Sequence, residues 1–471
     1  MPPHRDTKQG FQLTRRGLLA SGGAAAIGAY GWWAYRGLEQ NAAEADVLEW
    51  MKSHIQRFKP QEPETLTASG AMVRALAGAT VIGLGEATHG SHEDLVCKAE
   101  IVRALVQAGA IKTVFLEANS RGGRELDRFI AEGAGSAIER VQTADIFMIL
   151  KTRVLADLLA WLREWNTQTI SRIRIIGVDC QASAPDTAFA IEWLRSVDPK
   201  GADSFAERLA ALLSEDARSK RFPDLIASLT TSQLNLAMTE LELLAQALRP
   251  AGPYGGLEGR EAAEQSARTA WQGLKAFELE TADGVIEGDV AEYFSRRDRF
   301  MADNIMRHGE TAAGVYWAHN VHVAGSKLGD DKASFIPTGY HLRERLGDGY
   351  RTVIFEFAEA RFSAVPVWPW GDFPSATDPQ IVIEWPYRAG RLAGLFRSLG
   401  GGDAWVDLSA MPRTTGLLEW EKRPYTFKSP GYAAAPWIDL FSETLTIRPR
   451  PMIDILIHLD QLTPSHLLPT A

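Results

Sequence analysis

Cysteine is scarce in this sequence, which has only Cys97 and Cys180 among its 471 residues. So few cysteines exclude the dense disulfide framework that holds small secreted domains together. Two buried free thiols and a single bridge between them are both consistent with the count. The fold must therefore rest on hydrophobic cores, and a chain of this length accommodates two or three of them at about 150 residues per domain.

Positive charge is also in deficit, with 50 Lys and Arg against 59 Asp and Glu and a formal net charge of −9. Nucleic-acid binding depends on Lys and Arg that neutralise phosphates, so this balance argues against a nucleic-acid partner. The apolar fraction of 45% and the charged fraction of 23% are those of an ordinary folded protein. Such fractions exclude a disordered chain and a protein with many membrane spans.

Two familiar catalytic motifs are absent. The sequence has no Gly-x-Ser-x-Gly nucleophile elbow, and residues 118–122 (Ala-Asn-Ser-Arg-Gly) only approximate it. It also has no His-Glu-x-x-His zinc helix. Nucleophilic serine catalysis is therefore not favoured, and a zinc site receives no specific support from motif spacing.

The first 45 residues follow a different pattern from the rest. Residues 14–19 (Thr-Arg-Arg-Gly-Leu-Leu) place two arginines before a Gly/Ala-rich apolar run that extends to about Tyr30. This outline predicts a signal for the twin-arginine export machinery, and therefore a periplasmic or exported protein. Residues 43–45 (Ala-Glu-Ala) suit signal cleavage, whereas the aromatic residues at 32–35 suit an uncleaved membrane anchor. A cytosolic helix with an accidental arginine pair is the remaining alternative.

Past residue 45, short β-branched runs alternate with longer amphipathic stretches, which is typical of βα units around a largely parallel sheet. The first predicted strand, Thr80–Leu84, precedes a tight turn and a helix, with Ser91 and Asp94 arranged as in a capping box. Further strands are predicted at Thr113–Leu116, Ile173–Ile176, Val315–Trp317, Thr352–Phe355 and Met452–Leu459. The predicted fold class is α/β, a three-layer core in which helices flank a largely parallel sheet.

The strand signal disappears between about Pro185 and Phe294, where apolar residues fall at helical spacing. A Pro/Gly-rich loop is predicted at residues 250–256 and a long irregular loop at residues 365–379. The predicted segments are an export signal at 1–45, the first part of a catalytic α/β core at 46–184, a helical insertion at 185–291, and the second part of the core at 292–471.

Polar residues follow four of the predicted strands, at the edge where open α/β sheets bind ligands. If the strands are parallel, these residues converge on one site. They are Glu86 and His89 after the first strand, Glu117 after the second, Asp179 after the third, and His319 and His322 after the fourth.

The residue types at this edge favour acid–base chemistry. A carboxylate such as Glu86 can orient a nearby imidazole, and His89 can then act as a general base near neutral pH. Glu117 would add an acid or base. A capping glutamate beside a structural histidine is the alternative for the first pair, and a packed core position is the alternative for His319 and His322 taken singly.

Two cofactor hypotheses compete with this interpretation. Three histidines and two carboxylates could hold a divalent metal, and catalytic zinc keeps a water for attack. Gly83 and Gly85 begin like a dinucleotide fingerprint, but Thr88 occupies the third glycine position and Glu86 would repel a pyrophosphate. The dinucleotide is therefore set aside, and the glycines are assigned to a sharp turn.

Several segments together resemble the erythromycin esterase family over most of the mature chain. They are residues 83–90 (Gly-Leu-Gly-Glu-Ala-Thr-His-Gly), 115–117 (Phe-Leu-Glu), 317–322 (Trp-Ala-His-Asn-Val-His) and 339–342 (Gly-Tyr-His-Leu), supported by Arg297-Asp298, residues 301–304 and Asp454–Pro464. The resemblance implies a three-layer α/β core, a helical subdomain over the site and no obligatory metal.

This resemblance also implies residue roles. His89 matches the base that activates water, and Glu86, Glu117, His319 and His322 match residues that orient the base and water or stabilise the oxyanion. Lys98 and His341 match positions implied to bind substrate, with a surface pair to Asp94 as the alternative for Lys98.

The function expected on these grounds is hydrolysis of an ester or lactone of a small molecule by histidine-activated water. The family includes members of unknown substrate, so the sequence leaves open whether the substrate is a macrolide and whether the protein confers antibiotic resistance. A metal-dependent hydrolase that uses the same residues and a periplasmic metal- or cofactor-binding protein without catalysis are the rival hypotheses.

Overall fold

The structure is a computed structural model that describes residues 44–220, 222–277, 290–309, 313–330, 333–367, 380–387, 392–422, 425–434 and 444–469. Nearly all of the predicted export signal, residues 1–43, lies outside this range. Within it, no helix is both long and apolar enough to cross a membrane.

Within the described residues, the strands form one large mixed sheet and two small antiparallel pairs. Their bounds are β1 Gln56–Arg57, β2 Val81–Leu84, β3 Thr113–Asn119, β4 Arg174–Asp179, β5 Gly314–Trp317, β6 Leu328–Asp330, β7 Ala333–Phe335, β8 Tyr350–Pro366, β9 Ile381–Trp385, β10 Ala404–Asp407, β11 Tyr425–Lys428, β12 Ala433–Ala434, β13 Thr444–Ile447 and β14 Ile455–Leu462. All six predicted strands overlap strands of the large sheet, although the predicted Met452–Leu459 begins too early, since Met452 lies in helix α19 (Pro449–Met452) and β14 starts at Ile455.

The large sheet has the order β1-β10-β14-β8-β2-β5-β3-β4, and β9 and β12 also pair with β8. From β14 to β4 every neighbouring pair is parallel, whereas β1, β10 and β9 pair antiparallel. The remaining pairs are β11 with β13 and β6 with β7. The predicted largely parallel sheet is therefore confirmed, with an antiparallel edge added.

The α-helices are α1 (residues 44–54), α2 Ala71–Leu76, α3 His92–Gln107, α4 Ser120–Glu132, α5 Ala137–Thr143, α6 Arg153–Gln168, α7 Ser183–Val197, α8 Pro199–Arg208, α9 Ala210–Leu213, α10 Glu215–Ser219, α11 Phe222–Ser228, α12 Thr231–Ala247, α13 Arg260–Ala276, α14 Val290–Gly309, α15 Asn320–Val323, α16 Thr338–Leu346, α17 Leu392–Ser398, α18 Thr415–Lys422 and α19 Pro449–Met452.

The three layers arise because successive side chains along each buried strand face opposite sides of the sheet. In β2, Ile82 belongs to a core cluster with α3, α4 and α6, whereas its neighbour Val81 belongs to a second cluster with α14, α16 and α17. Successive side chains of a strand point to opposite faces, so each face needs its own covering helices. The predicted three-layer α/β class is confirmed.

The helices α7–α13 share a third core cluster, which includes Leu194, Leu241 and Leu274. The predicted loop at residues 250–256 lies between α12 and α13. These helices occupy the region predicted as an insertion, and its bounds of 185–291 stay a prediction. The predicted loop at 365–379 is shorter at its start because β8 continues to Pro366, and residues 368–379 lie outside the described range.

The predicted capping box of α3 is wrong in its bonding. Ser91 is the N-cap residue, but its side chain accepts no bond from the helix backbone. Its hydroxyl instead donates to Asp94 Oδ2 at 2.6 Å. The reason is that Asp94 points back toward the turn before the helix, where backbone N–H groups compete for its oxygen.

Two helical glycines provide a matched test of this packing. A Cβ at Gly123 of α4 would lie 2.1 Å from the backbone nitrogen of Gly177 in β4, whereas among the described residues a Cβ at Gly394 of α17 would meet only the Tyr387 hydroxyl, at 3.7 Å. Gly123→Ala should therefore lower the free energy of unfolding by about 1–3 kcal/mol through overpacking. Gly394→Ala should be neutral or stabilise by up to about 1 kcal/mol through helix propensity. Urea denaturation measures both, and equal effects would contradict the close approach of α4 to the sheet.

Candidate active site

The carboxyl ends of four parallel strands bring the six predicted polar residues to one edge of the sheet. Glu86 and His89 follow β2, Glu117 lies near the end of β3, and Asp179 ends β4. His319 and His322 follow β5, and the N–H of Asn320 donates to the Glu86 carbonyl at 3.1 Å. Contacts among these side chains, described below, join them into one buried polar cluster.

Glu86 links an imidazole to a buried ammonium group. Its Oε1 lies 2.5 Å from His89 Nδ1, and its Oε2 accepts a hydrogen bond from Lys98 Nζ. Burial alone would raise the pKa of Glu86, but Lys98 and His89 outweigh it and lower the pKa to about 2. An ionised carboxylate only accepts hydrogen bonds, so His89 Nδ1 carries the proton that it donates. The remaining nitrogen of His89, Nε2, makes no hydrogen bond within the described structure.

The turn that carries Glu86 and His89 needs its flanking glycines for close packing. A Cβ at Gly85 would lie 2.2 Å from Asn320 Oδ1, and a Cβ at Gly90 would lie 1.8 Å from the carbonyl oxygen of Ser363. Gly85 thus leaves room for the Asn320 side chain of α15, and Gly90 lets the backbone of β8 approach the turn. The assignment of Gly85 to a sharp turn fits this geometry, whereas Gly83 lies within β2 and its assignment to the turn is wrong.

His319 is a neutral partner of His89. The two rings lie 4.7 Å apart between centroids, at 38°. Burial and the nearby His89 lower the pKa of His319 to about 3. Its Nε2 lies 3.0 Å from the Pro430 carbonyl, which can only accept, so the proton of the neutral ring is on Nε2. Ser429 Oγ lies 3.3 Å from the same nitrogen.

His322, by contrast, is held as an imidazolium. Its Nδ1 lies 2.8 Å from Asp298 Oδ2, and its Nε2 lies 3.2 Å from Glu117 Oε1. Burial would lower its pKa, but the two carboxylates outweigh burial and raise the pKa to about 10. Thr338 donates to Asp298 through both its N–H and its hydroxyl, at 2.8 and 3.0 Å, and so fixes the second carboxylate.

Glu117 and Asp179 share the guanidinium of Arg297. Arg297 donates to Asp179 from Nε at 2.8 Å and from Nη2 at 2.6 Å, and Nη2 also reaches Glu117 Oε1 at 3.1 Å. Burial would raise the pKa of Glu117, but His322 and Arg297 hold it well below its usual range. The Oε2 atom of Glu117 accepts a hydrogen bond from the backbone N–H of His319 at 3.1 Å. Arg297 therefore joins β3 and β4 to α14 through charge.

Lys98 and His341, the two residues expected to bind substrate, occupy different surroundings. Lys98 has no exposed surface; besides Glu86 it donates to the Ala318 carbonyl at 3.1 Å, and it lies 4.4 Å from the Trp317 ring. Its position fits a counter-ion of Glu86, and the alternative of a surface pair with Asp94 is not what the structure has. His341 is partly exposed on α16 and contacts Tyr340; no hydrogen bond ties it to the cluster within the described residues.

Three participants were not chosen from the sequence as site residues: Arg297, Asp298 and Ser429. Arg297 and Asp298 were noticed only as part of a family pattern, and that pattern was the available signal. Both lie on helix α14, away from the strand ends where sequence patterns predict site residues. Ser429 follows β11 in a region without any distinctive motif.

The metal hypothesis finds few free donors in this arrangement. Within the described residues, no group of three or more His, Cys, Asp and Glu side chains has the geometry to hold a metal ion. Both nitrogens of His322 and one nitrogen each of His89 and His319 are already hydrogen-bonded to protein groups. Cys97 and Cys180 are both buried free thiols.

The cluster has the groups that acid–base chemistry requires. His89 has a carboxylate on one nitrogen and no hydrogen bond on the other within the described residues, which is the arrangement of an oriented general base. Arg297 and the His322 imidazolium are buried cations that both contact Glu117 Oε1.

The Lys98–Glu86 pair gives a stability test with a defined pH dependence. Lys98→Met should lower the free energy of unfolding at pH 7 by about 3–5 kcal/mol, because it leaves a buried carboxylate without its cation. In the wild type, the Glu86 pKa of about 2 lies below the ordinary 4.5, so its stabilisation is full above 4.5 and is lost as pH falls through 2. In the variant, burial without Lys98 raises the pKa of Glu86. The difference in the free energy of unfolding between the variant and the wild type should therefore become smaller as the pH falls. Urea denaturation at about pH 7 and pH 5 measures it.

The control for this test is Lys52→Met, which removes an exposed pair with Glu49. Exposed pairs contribute at most about 1 kcal/mol. If Lys98→Met cost no more than Lys52→Met, Lys98 would not be the counter-ion of Glu86.

Comparison with known proteins agrees with the motifs. The sequence model of the erythromycin esterase family matches residues 106–462, a range that includes Glu117, His319 and His322 and begins after His89. Erythromycin esterase type I from Escherichia coli is 23% identical over 331 residues, which cover 65% of this chain and 76% of that protein.

Solved structures share the fold. A crystal structure of a Bacillus cereus protein superimposes with a TM-score of 0.71 at 21% identity, covering 90% of this chain and 99% of that one. A succinoglycan biosynthesis protein gives a TM-score of 0.71 at 19% identity, covering 90% and 98%. An erythromycin esterase EreC mutant in its open conformation gives 0.63 at 16% identity, covering 85% and 95%. The resemblance inferred from the motifs is confirmed, and the chain belongs to the erythromycin esterase family.

Proposed function

We propose that this protein hydrolyses a carboxylic ester or lactone with a water molecule activated by His89. The observation that carries the proposal is the hydrogen bond between His89 Nδ1 and the ionised Glu86, which leaves Nε2 as the only nitrogen able to accept a proton. Membership of the erythromycin esterase family supports a hydrolase of this type.

In the first step, Nε2 of His89 takes a proton from water while the water oxygen attacks the ester carbonyl carbon. The carbonyl π electrons move to oxygen and form an oxyanion. We assign Arg297 and the His322 imidazolium to stabilise this charge, because both are buried cations and charge interactions are strong where water is excluded.

In the second step, the tetrahedral intermediate collapses and breaks the bond between the carbonyl carbon and the alcohol oxygen. The leaving alkoxide takes the proton from the His89 imidazolium, so the products are a carboxylic acid and an alcohol. His319 contributes by staying neutral, since its pKa of about 3 avoids a second positive charge beside the imidazolium of His89.

We further propose a small-molecule substrate, and a macrolactone is one candidate because the Escherichia coli relative is named an erythromycin esterase. A role in macrolide resistance would follow only from turnover of such a compound. The twin-arginine pattern at residues 14–19 supports export to the periplasm by the corresponding machinery, with the N-terminus either cleaved or retained as an anchor.

Replacing the base tests the mechanism. His89→Ala should lower kcat by about two to four orders of magnitude, the usual loss for a general base. Its unfolding midpoint should stay close to that of the wild type, because Glu86 keeps Lys98. A panel of aryl esters, simple lactones and macrolactones identifies a substrate first. The exposed His54→Ala is the matched control and should keep wild-type turnover. Wild-type kcat in His89→Ala would refute the proposed base.

Metal removal separates this mechanism from its main rival. We expect protein treated with chelator, and shown by elemental analysis to lack stoichiometric metal, to retain its activity, since protein groups already engage most of the donor atoms. Loss of activity on chelation, with recovery on adding Zn²⁺, would instead support a metal-dependent hydrolase. A bound metal or cofactor in wild-type protein that turns over no ester would support the binding-protein hypothesis.

A further inference from the structure

The backbone between Glu86 and His89 is held by one carboxylate oxygen. Asp94 Oδ2 accepts the N–H of Ala87 at 2.9 Å and the N–H of Thr88 at 3.4 Å. Ala87 and Thr88 are the two residues that separate Glu86 from His89. Asp94, in the first turn of α3, thus bonds to the backbone of the turn that precedes this helix.

Asp94 is itself fixed in place. It is fully buried in the first turn of α3, and the Ser91 hydroxyl donates to the same Oδ2 at 2.6 Å. Its second oxygen, Oδ1, is buried and makes no hydrogen bond within the described residues. Within the described residues, all the hydrogen bonds that this carboxyl group accepts therefore come from the turn and from Ser91, the N-cap residue of α3.

The position of this turn determines whether His89 can act as a base. Glu86 and His89 are three residues apart, and their side chains meet at 2.5 Å only if the chain between them folds back tightly. Two buried N–H groups without an acceptor would favour rotation of those peptides toward other partners. Rotation would swing the His89 imidazole away from Glu86.

We propose that Asp94 is a positioning residue for the Glu86–His89 pair. It acts through the backbone of Ala87 and Thr88 and touches neither substrate nor the reacting atoms. The inference rests on the proposed role of His89 as the base, and it predicts that the shape of the acceptor at position 94 matters more than its charge.

The test compares two substitutions at this position. Asp94→Ala removes the acceptor and should lower kcat by about 10²-fold, the scale of loss for a misplaced catalytic group. Its KM should change little, since ground-state binding is untouched. Asp94→Asn keeps an oxygen at Oδ2 and should recover most of the loss, to within about tenfold of the wild type, because the bond that it accepts is weaker without the charge.

Asp186 supplies a matched control outside the site. It is also fully buried, accepts a side-chain bond from Thr269 at 2.8 Å, and has a buried Oδ1 without a partner within the described residues. Burial raises the pKa of both carboxyl groups to about 7. Asp186→Ala should therefore lower the unfolding midpoint as Asp94→Ala does, but leave kcat near that of the wild type.

A second measurement needs no substrate. In protein labelled with ¹⁵N-histidine, the hydrogen-bonded Nδ1–H of His89 should give a downfield proton resonance, assigned by its absence in His89→Ala. It should persist in Asp94→Asn and in Asp186→Ala and be lost or shifted in Asp94→Ala. If no compound of the ester panel is hydrolysed but the resonances follow this pattern, the result would reject ester hydrolysis and would retain the positioning role of Asp94.

Two results would overturn the inference. One is an unchanged His89 resonance and an unchanged kcat in Asp94→Ala. The other is a loss of kcat in Asp94→Ala that Asp186→Ala reproduces at equal loss of stability, since Asp94 would then act only on the fold.

Discussion

The buried ion pair between Lys98 and Glu86 is the interaction on which the rest of the site depends. A carboxylate with 2% exposure is costly without a cation, and Lys98 supplies one from the second turn of α3. Because Glu86 stays ionised, its other oxygen can hold the Nδ1–H of His89. The same pair also fastens α3 to the end of β2, which lies in the middle of the sheet. The helix, the strand and the orientation of the base are thus set by one contact.

Charge balance extends this logic across the cluster. The carboxylates of Glu86, Glu117, Asp179 and Asp298 face three cations, which are Lys98, Arg297 and the His322 imidazolium. These four carboxylates therefore exceed the three cations by one negative charge while His89 is neutral. In the proposed reaction, protonation of His89 would offset this excess, and in a buried site such compensation is stronger than in water. The neutral His319 fits the same scheme, because another cation beside His89 would oppose its protonation.

Much of this arrangement was predictable because it depends on local signals. Runs such as Thr113–Leu116 are short, apolar and β-branched, and they became buried strands; parallel pairing then brought Glu86, Glu117 and His319 to one edge. Pairings distant in sequence were not predictable. Whether Asp298 reaches His322, or Lys98 turns inward rather than toward Asp94, depends on how helices pack on the sheet. The prediction of a capping box was wrong for the same reason. Asp94 accepts a hydrogen bond from a buried backbone N–H group of the turn before α3, and the local sequence pattern does not reveal this contact.

The polar cluster and the helices α7–α13 lie in different parts of the fold. The six polar residues at the strand ends belong to the core, whereas α7–α13 have a hydrophobic cluster of their own and contribute none of the six. That layer joins the core through side-chain bonds such as the pair between Gln272 and Asn304. The chain shares its fold with proteins named an erythromycin esterase and a succinoglycan biosynthesis protein, and a fold alone does not fix a substrate.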